Sequence, residues 1–368
     1  MAAGLLAVSC SSGASEATDP PTTTSSSTTT LPPSSTTSSS STSSTTPEPP
    51  ATVSIDGDLP IGLDSAIAAL LSWQADDRND SPDVPDGLAT HLATHPLSTP
   101  ETATATAATA EIEGGAIAVI EVDSGDVLLA ANEGTGWRIV GAKPAEGTPW
   151  YGEEPRMVMV LGSDARPGQD QQRLRADSIH IVTANPSEGT GTILGFPRDS
   201  WISSPYGSMK FTSLMAGRGP QVMVDKVVDT CDLPVEGYVV TGFVGFEDLM
   251  RQVGNLPITL PIDIPNQKDW VGWSAGSQTL SPQRTLEYSR TRKRVPGGDL
   301  TRSANQGLVM VAVLRVLQMN DITDAPEIVS VLLDHTWTSL TPTDLIQLAA
   351  TIHALDADEI ENVVLPGN

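Results

Sequence analysis

The stretch Met157-Val-Met-Val-Leu161-Gly-Ser-Asp-Ala-Arg166 decides the fold. Five consecutive apolar residues read as a strand buried on both faces, and its C-terminal end delivers an acid and a base, Asp164 and Arg166. In open α/β sheets that edge is where ligands bind, because loops converge there without disturbing the core. Two more strands follow. Ile179–Thr183 is entered from Arg175-Ala-Asp177, and Thr192–Phe196 is closed by Pro197-Arg198-Asp199. Three strand ends therefore present Arg/Asp pairs.

Further along, Tyr288-Ser-Arg-Thr-Arg-Lys-Arg294 reads as extended chain, in which residues two apart share a face, so Arg290 and Arg292 point together. Gly297 and Gly298 then lead to a helix from Asp299, where Arg302 and Gln306 lie four apart on one face. Of the 20 basic residues, six fall in Arg156–Lys210 and six more in Arg284–Arg302. A single strand-end pair would be a surface ion pair of about 0–1 kcal/mol. Three pairs with Arg290, Arg292 and Arg302, in a chain of net charge −25, point to a local anion site. The carboxylates Asp164 and Asp177 at neighbouring strand ends suit Mg²⁺ (or Mn²⁺), which takes one or two carboxylates and completes its shell with water and phosphate oxygens. Together these parts describe a diphosphate cradle.

The rest of the chain bounds the function. With 368 residues, and hydrophobic residues at 39%, it has enough apolar material for a sizeable core. Its negative field disfavours nucleic acid as a partner. Cys10 and Cys231 are too few for a disulfide framework or a zinc site. No G-x-S-x-G, Walker or H-E-x-x-H motif occurs, which weakens hydrolase, nucleotide and zinc-protease readings. His180, among apolar strand neighbours, reads as a packed residue rather than a catalyst, and His91 with His95 lacks a third metal ligand.

Residues 1–10 form a short apolar run ending at Cys10, too short to span a bilayer. Small residues before a Cys resemble the end of a bacterial lipoprotein signal, although no basic residue precedes them. Residues 11–52, almost all Ser, Thr and Pro, read as a disordered stalk. Residues 53–110 read as a helix, Leu59–Trp73, followed by a proline-broken linker. In 111–150, two apolar runs flank Asp123-Ser-Gly-Asp126 as a β-hairpin, with Trp137–Val140 as a third strand.

Residues 155–365 resemble the LytR-CpsA-Psr (LCP) family, a cell-envelope domain once called a transcriptional attenuator. The carriers are Leu161-Gly-Ser-Asp-Ala-Arg166, Arg175-Ala-Asp177, Phe196-Pro-Arg-Asp199, Met209-Lys-Phe211, Gly237-Tyr-Val-Val, Gly245-Phe, Ala275-Gly-Ser-Gln-Thr-Leu280, Tyr288-Ser-Arg-Thr-Arg292 and Asp299-Leu-Thr-Arg-Ser-Ala-Asn-Gln306. Each is weak alone, and their ordered combination is specific. The resemblance implies a three-layer α/β/α domain with a mixed central sheet, here preceded by the small β-rich unit and the stalk. It also implies transfer of a polyprenyl-pyrophosphate-linked glycan, with one phosphate, to a peptidoglycan hydroxyl outside the cytoplasm, at a membrane to which a lipidated Cys10 would tether the chain. Under it, Arg175, Arg198, Lys210, Arg290, Arg292, Arg302 and Gln306 hold the pyrophosphate. Asp164 and Asp177 serve the metal and the acceptor hydroxyl, with Arg175 at the reacting phosphate. The family commonly carries a further Arg three residues after the position of Arg302, where this chain has Asn305. That departure keeps a non-catalytic polyprenyl-phosphate-binding wall protein as an alternative, and a polyprenyl pyrophosphatase is a third reading.

Overall fold

Pro60 and Gly62 hold back the first helix. Gly62 sits at φ +86, and the Leu63 amide donates to the Pro60 carbonyl at 3.0 Å, so α1 spans Leu63–Ala75 rather than starting at Leu59. These positions come from a computed structural model, which describes residues 53–75, 82–318 and 320–366. The apolar run to Cys10 and the Ser/Thr/Pro stretch lie outside the described residues. In α1, Leu63, Ile67, Leu70 and Leu71 recur at helical spacing and are fully buried.

The segment read as a linker, 76–110, instead contains α2 (Asp86–Leu92) and most of β2 (Thr102–Ile112). The prolines bracket these elements rather than break them: Pro85 caps α2, and Pro96 and Pro100 precede β2. β2 hides in composition because it alternates Thr with Ala, yet Ala103 and Ala105 are buried while Thr102 and Thr104 are exposed. It joins β1 (Ser54–Asp56), β3 (Gly115–Val122), β4 (Val127–Asn132) and β5 (Trp137–Lys143) in a five-stranded sheet in chain order. The hairpin through Asp123–Asp126 forms as read, with Gly125 at φ +89 in its turn. The β unit is thus larger than the hairpin reading of 111–150 allowed.

The second sheet has the order β14-β11-β6-β7-β8-β15 and is mixed. Its strands are β6 (Arg156–Ser163), β7 (Ala176–Asn185), β8 (Thr190–Gly195), β11 (Gly237–Thr241), β14 (Trp337–Thr338) and β15 (Ile360–Val364). β6, β7 and β8 run antiparallel in turn, while β11 is parallel to β6 and β15 to β8. The connections carry the hairpin β9 (Trp201–Ile202) and β10 (Met209–Lys210), α3 (Gln221–Cys231), α4 (Phe243–Val253), a second hairpin β12 (Leu256–Leu260) and β13 (Gly276–Leu280), α5 (Pro282–Ser289), α6 (Asp299–Leu317), α7 (Ala325–Leu333) and α8 (Pro342–Ala354).

One face of this sheet, through Met159, Ile179 and Ile181, packs on Met223, Val224 and Val227 of α3. The other face, through Val158, Val160, Val182 and Val239, looks across a gap to α4, α6, α7 and α8. This is the expected three-layer arrangement, with one layer held off the sheet. The two sheets share a core: Ile117, Val119, Leu129 and Val140 of the first sheet pack with Val329 of α7 and with Leu345, Ile346 and Ala350 of α8. Beside them Arg156 is buried, bound to both oxygens of Glu236, to the Tyr151 carbonyl at 3.1 Å and to Gln347 at 3.0 Å. Gln347 in turn donates to the Val140 carbonyl at 2.6 Å.

Candidate active site

Antiparallel order brings the end of β6, the start of β7 and the end of β8 to one edge, so the three Arg/Asp pairs arrive together. The loop between β6 and β7 closes on itself. The Asp164 amide donates to the Arg175 carbonyl at 2.9 Å, and the Arg175 amide donates to Asp164 Oδ1 at 3.0 Å. Opposite, the glycine pair ahead of α6 turns the chain at φ +72 and +54, so that Arg302 and Gln306 leave the first two turns of the helix toward the same edge.

The Tyr288–Arg294 stretch corrects the extended reading. Ser281 caps α5 by accepting from the Arg284 amide, Pro282 occupies its first turn, and Tyr288 is wholly buried edge-on to Trp273. Helix therefore runs through Ser289, and Arg290 closes it at φ −99, ψ −3. Arg290 and Arg292 still reach one hollow, because the chain leaves the helix between them. Arg290 lies 4.6 Å above the ring of Phe243 at the start of α4.

The hollow has a volume of about 570 Å³ and is lined by Asp164, Arg166, Arg175, Asp177, Arg290, Arg292, Arg302 and Gln306, with Gln169, Leu174, Ala216 and Phe243. Five arginines face two aspartates within a strongly acidic chain. No carboxylate among the described residues comes within ion-pair distance of Arg166, Arg175, Arg290 or Arg292. Burial depresses the pKa of Arg302, and the neighbouring Arg198 and Arg292 deepen this against the pull of Asp299 at 2.6 Å. Its Nε is buried without a hydrogen-bond partner. An anion in the hollow would relieve that repulsion and accept those hydrogen bonds.

Two expected residues stand elsewhere. Arg198 does not line the hollow. It is ion-paired to Asp177 from behind and lies 3.7 Å from Asp299. Burial opposes its charge, but Asp177, Asp299 and Asp199 outweigh burial and raise its pKa. Lys210 pairs with Asp199 at 3.1 Å and is half exposed. Both thus pair with carboxylates rather than line the hollow themselves. Asn305 is buried away from the hollow, accepting at 2.9 Å from the Tyr288 hydroxyl. Gln169 and Phe243 had no local sequence signal. Arg166 had one, the Asp-Ala-Arg step after β6.

His180 is fully enclosed, bonded to the Ser303 carbonyl at 3.1 Å, and burial lowers its pKa to about 4, as befits a packed neutral imidazole. His91 and His95 stack at 4.5 Å on the far unit.

A second cavity of about 340 Å³ lies in the gap beneath the helices, walled by apolar side chains such as Val160, Phe246, Met250, Val309, Val313 and Leu332. It runs to Asp321 and His353. Asp177, Phe243, Arg290 and Gln306 line both cavities, so the charged hollow opens directly into the apolar one. The pair is shaped for an amphiphile with an anionic head and a hydrocarbon tail. As to a metal, Asp164 and Asp177 both line the hollow, each commits Oδ1 to a protein donor, and neither Oδ2 has a hydrogen-bond partner among the described residues. No group of three or more metal-ligating side chains assembles among the described residues. Two hard carboxylates fit Mg²⁺ when phosphate oxygens supply further ligands.

Residues 141–368 match the LytR_cpsA_psr family. Over 226 residues the chain is 30% identical to the polyisoprenyl-teichoic acid–peptidoglycan teichoic acid transferase TagT of Bacillus subtilis, covering 59% of this chain and 69% of that one. It is 26% identical over 200 residues to the transferase of the same description named TagU from Enterococcus faecalis, covering 54% and 65%. The solved structure of TagT bound to LIIa-WTA is similar at a TM-score of 0.50 and 28% identity, over 60% of this chain and 82% of that chain. The chain thus spans about two thirds of the length of these two curated relatives, and β1 to β4 of its first sheet lie outside the family match, which begins within β5.

Proposed function

The chain belongs to the LytR_cpsA_psr family, and on that premise we propose that it is an extracytoplasmic phosphotransferase joining a polyprenyl-pyrophosphate-linked glycopolymer to peptidoglycan. One observation carries this reading: an arginine-lined hollow that shares four residues with an apolar cavity. The names of the relatives, teichoic acid transferases, support the same substrate class. In this proposal the polyprenyl tail occupies the apolar cavity and the pyrophosphate lies at the junction, beside Arg290 and Gln306. A hydroxyl of the peptidoglycan sugar attacks the phosphorus on the glycan side. The new O–P bond forms as the bridging P–O bond breaks, and the products are the glycan phosphodiester and polyprenyl monophosphate.

Asp164, which carries no ion pair among the described residues, accepts the hydroxyl proton. Arg175, Arg292 and Arg302 meet the charge that grows on the leaving phosphate, where pre-placed cations act without reorganisation. Asp164 and Asp177 would also hold Mg²⁺ or Mn²⁺, which would neutralise phosphate oxygens when bound. Arg198 and Lys210 act as positioning residues for Asp177 and Asp199. Anchoring of the chain to a membrane through Cys10 belongs to the same proposal.

The test is transfer from a pyrophosphate-linked donor to peptidoglycan by the purified chain. Arg290→Ala and Asp177→Ala should each lower the rate about 10²–10³-fold, and chelation of divalent metal should lower it as well. Undiminished transfer by both variants would reject the assignment. Phosphate release without acceptor would indicate a pyrophosphatase, and donor binding without turnover a binding protein.

A further inference from the structure

The β9–β10 hairpin leaves two aromatic side chains in solvent. Trp201 is 71% exposed and Tyr206 55% exposed. Large aromatics left this open are unusual unless something covers them. The hairpin register explains the outward aim of Trp201, and Tyr206 lies in the turn. Ile202 pairs with Met209, and both pack against the core beneath the sheet; Trp201 pairs with Lys210, on the opposite face.

The tip is organised. Ser204 accepts from the Tyr206 amide at 3.2 Å and donates to the Gly207 carbonyl at 2.8 Å, while Arg218 lies 4.5 Å over the Tyr206 ring. Both ends are tied to the hollow. On one side Lys210 holds Asp199, and the adjoining Arg198 holds Asp177 of the lining. On the other, Arg218 donates at 3.2 Å to the carbonyl of Ala216, another lining residue.

We propose that this hairpin is the acceptor subsite, with Trp201 and Tyr206 as a stacking platform for the sugar rings of the peptidoglycan strand at the rim of the phosphate hollow. The inference rests on the transferase reading above and adds the residues that seat its second substrate. A pyranose ring offers an apolar C–H face bordered by hydroxyls. The hairpin offers flat apolar surface on a segment that also exposes Ser203, Ser208, Asp199 and Lys210, and its organised tip limits the ordering cost of binding. A lipid surface fits less well, because Ser203 and Ser204 stand between the two aromatics in the chain and the net charge of −25 repels anionic headgroups.

The experiment titrates the full chain with soluble peptidoglycan oligosaccharides by calorimetry, and measures donor binding separately. Trp201→Ala should weaken oligosaccharide binding about tenfold, Tyr206→Ala by a similar factor, and Trp201→Phe much less. In the transfer assay the loss should fall on KM for the acceptor rather than on kcat, with donor affinity unchanged. Equal oligosaccharide affinity in the unaltered chain and Trp201→Ala would overturn the proposal. So would undetectable binding by the unaltered chain, or Trp201-dependent binding to phosphatidylglycerol vesicles in its place. Failure of the transferase reading would show differently, as absence of donor binding and transfer with the oligosaccharide titrations still readable.

Discussion

Arg290 illustrates how one side chain serves two environments: its guanidinium lies over Phe243 at the meeting of the polar and apolar cavities. Replacing Phe243 with Ala should loosen that guanidinium, weakening donor binding while leaving the fold intact, as a titration with polyprenyl pyrophosphate and a melting curve would show together. His180 supplies a pH prediction. Its pKa is about 4 in the folded chain and about 6.5 when unfolded, so above pH 6.5 neither state binds the proton. Below that the unfolded chain takes it up first, and the folded state should lose roughly 2 kcal/mol between pH 6.5 and 5, relative to His180→Gln, in urea unfolding. Of the residues singled out in the sequence, Asp164, Arg175, Asp177, Arg290, Arg292, Arg302 and Gln306 line one hollow. Arg198 and Lys210 instead pair with aspartates, a distinction that a charge count along the sequence does not carry.

At the level of elements, α4 is fixed to the sheet by close approach. A Cβ at Gly245 would stand 2.4 Å from the His335 carbonyl, which already accepts from Thr241 at 2.9 Å. Gly245→Ala should therefore push α4 outward, costing about 1–3 kcal/mol and moving Phe243 and Phe246 off the cavity walls. Unfolding and donor titration check the two parts separately. Strands β6, β7 and β8 were legible because continuous apolar runs end in turn residues. β2 was not, because Thr/Ala alternation carries little hydropathy, and its burial comes from pairing with β1 and β3. The Arg290–Arg292 segment looks extended in sequence because a basic run shows no periodicity, whereas burial of Tyr288 settles the helix.

Across the whole molecule, the first sheet is a wall of the same core rather than an appendage. Its strands β3, β4 and β5 are covered by α1 and α2 on one face and by α7 and α8 on the other. Calorimetry of the intact chain should show one unfolding transition; two resolved transitions would refute this. Gln347→Ala removes the link among Arg156, Val140 and α8, and should cost about 2–4 kcal/mol in the same experiment, since Arg156 loses a buried acceptor. No sequence pattern announced this union, because contacts between residues some two hundred positions apart leave no local periodicity. From Leu345 to Ile352, α8 has buried or half-buried residues only, lying between the first sheet and the apolar cavity. Its amide protons should thus be among the last to exchange with deuterium, and an occupied cavity would slow them further, making this helix an internal reporter of lipid occupancy.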